Sequence, residues 1–133
     1  AYNIHTPVED VAAVSFSATS KTGFESVLSL VPKASSFAAG TTFGGTVDNA
    51  AASTLGGAAH LHVTAYSGFT NIVVIVQDSA DNAAWLTIGT FATVTALSQE
   101  RLTIAGTVRR YVRAPWDVTG TGSTTFCVGF ART

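Results

Sequence analysis

The sequence predicts an all-β protein: an antiparallel β-sandwich or jelly roll of about seven or eight strands, with an extended N-terminal arm or long loop. Three observations predict it. β-Branched and aromatic residues come in runs of five to ten, Gly, Ser, Asn and Asp punctuate those runs at the roughly 8–12-residue spacing of sandwiches, and helical periodicity is almost missing.

The first run, 11–17, sets Ala12, Val14 and Phe16 against Val11, Ala13 and Ser15. A second, 27–31, stops at Pro32, which has no N–H to give a ladder. Residues 33–57 are Ala, Ser, Thr and Gly with two Gly-Gly pairs, Gly44-Gly45 and Gly56-Gly57, and predict an arm or long loop carrying at most one short strand. From Ala59 the pattern sharpens. Leu61, Val63 and Ala65 alternate with His60, His62, Thr64 and Tyr66, the two-residue period of a half-buried strand. A turn around Gly68 is expected over 67–71, then a central strand over 72–77 that is apolar on both faces. Asp78, Ser79, Asp81 and Asn82 favour a turn because such side chains bond their own backbone. A strand over 85–91 follows, then 100–104 and 107–116 joined at Ala105-Gly106, and a last strand over 124–131 after a turn at 120–123. One domain spanning 1–133 is expected, with 1–57 as strands plus arm and 58–133 as the compact core, because the first part has too few apolar runs to close a core alone.

Composition narrows the function. Apolar residues make up 47% and charged residues only 11%, so little ionic surface keeps an isolated copy dispersed, and an assembly of identical subunits is expected. Seven basic and eight acidic side chains leave a formal charge of −1, which argues against nucleic acid and anionic membranes as partners. The longest strongly apolar run, 72–76, is far short of a membrane-crossing helix. Cys127 alone permits no internal disulfide and is expected mid-strand and buried. No basic-then-apolar opening announces a signal peptide, and Ala1 fits a trimmed initiator.

Candidate chemistry is sparse. His60 and His62 share a strand face and could grip a metal, but His5 is remote and no third ligand lies near them in sequence. Asp78, Asp81 and Asn82 offer oxygens without the spacing of a calcium loop. No nucleophile elbow, Cys–His pair, phosphate loop or dinucleotide fingerprint occurs, and no carboxylate pair stands out, so neither an enzyme nor a cofactor is expected. The most unusual stretch is Arg109-Arg110-Tyr111-Val112-Arg113. Alternation puts Arg109, Tyr111 and Arg113 on one face, either as a solvated face on which arginine stems cover Tyr111 or as a contact between subunits.

The segments 76–85 (VQDSADNAAW), 100–113 (ERLTIAGTVRRYVR) and 126–132 (FCVGFAR), with Val47-Asp48-Asn49 and 59–65 (AHLHVTA), resemble the C-terminal region of tail or virion proteins of tailed phages. The likeness covers roughly residues 47–132. It implies a β-sandwich that assembles in many copies on a virion, beside other phage structural proteins, in the tail or decorating the capsid. A looser likeness, Ser79-x-Asp81-x-x-x-Trp85 followed by the Arg110-Tyr111-Val112-Arg113 strand, is similar to galactose-binding-like jelly rolls of the discoidin type. It implies a carbohydrate-binding adhesion module for surface glycans, with Trp85 in the core and the arginine strand bracing the sandwich. Phe69 and Trp116 are the aromatic candidates for exposed loop tips that would stack on sugar.

Overall fold

The computed structural model describes residues 27–35 and 39–133. They form eight strands and no helix: β1 (Val27–Ser35), β2 (Gly40–Thr42), β3 (Thr46–Asp48), β4 (Gly57–Ser79), β5 (Leu86–Thr90), β6 (Ser98–Ile104), β7 (Tyr111–Arg113) and β8 (Trp116–Arg132). The expected strand over 11–17 lies outside the described residues.

All pairings are antiparallel and centre on β4. β8 runs along β4 from Gly57 to Val74, β6 lies on the other side of its first residues, 57–63, and its last residues, 75–79, lie between β7 and β5. Outside β8 and β7 run β1, β2 and β3. The eight strands make one sheet that curls until it is nearly a barrel, so β1 touches β3 and β5 touches β6. Residues of the expected arm therefore dock on their own chain, and they supply two short strands, β2 and β3, rather than one.

The expected turns at 67–71 and 120–123 do not form. Both stretches are strand, within a β4 of 23 residues and a β8 of 17. They lie opposite one another, Ser67 against Ser123 and Phe69 against Gly120, where the register slips between Val63 and Asn71. Val63 faces Phe126 and Asn71 faces Thr119, so β4 spends eight steps where β8 spends seven. That one extra residue flips the buried parity of β4 from Ala59, Leu61 and Val63 to Ile72, Val74 and Val76, while β8 stays even through Val118, Phe126, Val128 and Phe130. A face that would otherwise turn outward halfway along remains on the core. Glycine permits the crossing: Gly68 has φ +83, and a Cβ on Gly122 would sit 2.1 Å from the Ser67 carbonyl oxygen.

The concave side is filled by aliphatic and aromatic side chains, with Phe126, Phe130, Leu30 and Leu61 at most 1% exposed. Cys127 is mid-strand but only half-buried, because its neighbours Phe126 and Val128 take the inward positions. The segment 72–77 is likewise one-sided. Ile72, Val74 and Val76 are buried, whereas Val73, Ile75 and Gln77 are half-buried on the convex face.

Candidate functional site

Those three outward residues floor a groove of about 260 Å³, walled by Thr41, Phe43, Pro115, Asp117 and one edge of Trp116. Local sequence builds each wall. Pro115 cannot donate to the ladder, so the row that pairs with β4 breaks at Ala114-Pro115, and the Pro115 carbonyl instead accepts the Ile75 N–H at 3.0 Å. Gly44 lies directly on the Trp116 ring, where a Cβ would come to 2.9 Å, and this close seating holds Phe43 over the groove with 54% of its surface exposed. Thr41 donates its hydroxyl to Asp117 Oδ1 at 2.7 Å at one end.

Arg113 stands at the other end. Its Nε donates to Gln77 Oε1 at 2.9 Å, and its guanidinium carbon lies 4.0 Å from the Trp85 ring centroid and 4.7 Å from that of Phe43. Gln77 in turn donates Nε2 to the Thr87 hydroxyl at 3.4 Å. No carboxylate lies within ion-pairing distance of Arg113 among the described residues. Burial pushes its guanidinium pKa down, though an arginine stays cationic at any ordinary pH. Trp85 therefore does not fill the core, as the jelly-roll likeness implied; it is half-buried and packs on a cation.

The other expected interface residues separate. Tyr111 and Arg113 flank the buried Val112 in β7, but Arg109 precedes that strand and turns to Asp78. The Arg109 backbone N–H donates to Asp78 Oδ2 at 2.8 Å, and its Nε is 3.7 Å from Asp78 Oδ1. Arg110 makes two bonds to Asp48, at 2.7 and 2.8 Å, with its guanidinium 5.0 Å from the Tyr111 ring centroid. Hydrogen bonding from Arg110, then from the Ala50 N–H, lowers the Asp48 pKa from 3.8 to about 2. These arginines brace their own fold.

Phe69 and Trp116 are not loop-tip aromatics. They are 6% and 5% exposed, Phe69 edge-on to Tyr66 and Trp116 edge-on to Phe126 at 5.3 Å. Both sit on the inward side of a long strand, Phe69 because the turn expected over 67–71 is continuous sheet and Trp116 because it opens β8 on its buried parity. Among the described residues the exposed ring is Phe43, hidden in sequence by its Gly- and Thr-rich surroundings, and no signal in the chain pairs it with Trp85 and Arg113.

His60 and His62 do share the outer face of β4, facing Arg101 and Gln99 on β6 and Gly129 and Cys127 on β8. Among the described residues no three His, Cys, Asp or Glu side chains converge to hold a metal. Asp78 and Asp81 do not converge either. Asp78 is buried against Arg109, while Asp81 accepts the N–H groups of Ala84 and Ala83 and the Ser79 hydroxyl, which lower its pKa from 3.8 to about 2. With Asn82 at φ +62, this is a turn built to bond itself.

The groove thus offers an apolar floor, the Phe43 ring and one carboxylate, and Arg113, bordering it through Gln77 and Phe43, has no acidic partner among the described residues, an arrangement suited to binding. Neither the protein-family models nor the curated proteins compared with this chain give a match.

Proposed function

We propose that this chain is a structural protein of a tailed-phage particle, a tail or capsid-decorating component that packs in many copies against itself and other virion proteins. The observation that carries the proposal is the surface. Phe43, Leu55, Leu86 and Leu97 are 54%, 73%, 54% and 65% exposed on a chain with little charge. Covering one such side chain at a contact contributes roughly 1.5–3 kcal/mol. Few ionic groups would have to shed water with it. The likeness of residues 47–132 to phage virion proteins supports the same reading. Light scattering after size-exclusion chromatography tests it: a concentration-dependent oligomer is expected, and Leu55→Ser with Leu97→Ser should shift it toward monomer. A monomer at every concentration that also fails to join phage particles in a reconstitution assay refutes it.

A second reading, a carbohydrate-binding adhesion module, is favoured by the exposed Phe43 ring and the Trp85 ring beside a groove that also holds Gln77, Thr41 and Asp117. Sugar C–H faces stack on such rings while hydroxyls meet the polar groups. A glycan array tests it, with Phe43→Ala expected to remove any signal. An empty array refutes it.

A further inference from the structure

We infer that the Arg113 end of the convex groove is a subsite for the carboxylate of an acidic sugar. The inference rests on the adhesion reading and names the ligand class that the groove would take. The argument begins with charge. A half-buried cation is costly to desolvate unless an anion meets it, and the two other arginines of the same stretch each have one, Asp78 for Arg109 and Asp48 for Arg110. Among the described residues Arg113 has only the neutral Gln77 oxygen and two aromatic faces. The rings pack on the guanidinium without neutralising it. Nε is engaged, which leaves the terminal N–H groups for the two-point bond that carboxylates form with arginine.

The rest of the groove fits a sugar that carries such a group. Its volume, about 260 Å³, lies at the small end of ligand pockets, space for one ring rather than an extended chain. Val73 and Ile75 give that ring an apolar floor, Phe43 gives it an aromatic face, and the Thr41–Asp117 pair at the far end, whose one hydroxyl hydrogen is already shared between them, accepts hydrogen bonds from sugar hydroxyls. A purely aliphatic acid would offer no hydroxyl to that far pair. A neutral sugar would leave Arg113 without one.

The test is titration calorimetry on the whole chain with N-acetylneuraminic acid and glucuronic acid, against galactose and N-acetylglucosamine as neutral probes. The acids should bind at least about tenfold more tightly, and added salt should narrow that margin. Arg113→Gln should abolish the preference. Because Arg113 also packs on two rings, Gln77→Glu is the decisive companion: it places a carboxylate where Arg113 Nε already donates, so the fold should melt no lower while the preference for acids collapses. Neutral sugars binding as tightly as acids, or Gln77→Glu retaining the preference, overturns this inference and leaves the adhesion reading standing. No binding of any probe overturns both.

Discussion

Asp78 is the place where a single substitution should say most about what holds this sheet closed. Its side chain is 2% exposed, and Oδ2 accepts the Arg109 N–H at 2.8 Å. Asp78→Ala leaves that part-buried donor without a partner, at about 1–3 kcal/mol. The 3.7 Å ion pair adds under about 1 kcal/mol, because the Arg109 side chain is 33% exposed and solvent screens it. One term opposes these. Asp78 Oδ1 is buried with no hydrogen bond, so the native state already bears part of the cost of desolvating a carboxylate, and removal returns it. The net expectation is a loss of about 1–3 kcal/mol for Asp78→Ala. Asp78→Asn keeps an oxygen for the Arg109 N–H and should lose under about 1 kcal/mol. Urea unfolding followed by tryptophan fluorescence measures both, provided the denaturant slope is unchanged. If Asn is as damaging as Ala, the charge and not the hydrogen bond is what matters, and the reasoning fails. It fails equally if Ala costs less than about 0.5 kcal/mol.

Three further outcomes follow from the geometry. Gly122→Ala should destabilise by at least about 2–3 kcal/mol, since its Cβ would press on the Ser67 carbonyl and the Phe69 nitrogen, backbone atoms that cannot step aside; chemical denaturation measures it. Phe130→Ala, at a site 0% exposed, should cost about 3–5 kcal/mol, whereas Leu97→Ala, at a site 65% exposed, should stay within about 0.5 kcal/mol in the same assay. Asp48 and Asp81 both have folded-state pKa values depressed from 3.8 to about 2, so the folded chain binds their protons less readily than the unfolded one. Their contribution is complete above about pH 4 and is lost as pH falls toward 2. Melting temperatures across that window should therefore fall less steeply for the Asp48→Asn/Asp81→Asn double variant than for the parent.

The strand content was legible because alternation in 59–63 and 124–131 directly records which residues meet the core, whereas at 65–66 the register slip already exposes Ala65 and turns Tyr66 toward the core. Where it misled, the cause is pairing that only the folded sheet defines. Ser67, Gly68, Gly120 and Gly122 are the same residue types whether the chain reverses there or two strands slip past each other. β2 and β3 were hidden because their ladder partners on β8 and β7 lie more than sixty positions along the chain, and backbone bonding asks little of side-chain type. The site was legible only through Arg113 and Trp116, the latter in the groove wall by one edge rather than at a loop tip. The Arg113 neighbours Phe43, Gln77 and Trp85 come from three separate parts of the sequence, and the jelly-roll likeness, which implies a core place for Trp85, carries no information about the cation that ring packs on.

The nesting of the strands sets the order of folding. β4 and β5 are joined by the short self-bonded turn at Asp81, so that hairpin can close as soon as it is made. Then β3 must wait for β7, while β1 and β2 wait for β8. Even the tightest contact of β4 with β8, Val74 opposite Trp116, encloses the whole of β5, β6 and β7. Such distant closures are slow, and they leave greasy strands unpaired while the chain is still growing. A ribosome delivers these outer strands first, and the sheet has a place for them only at the end.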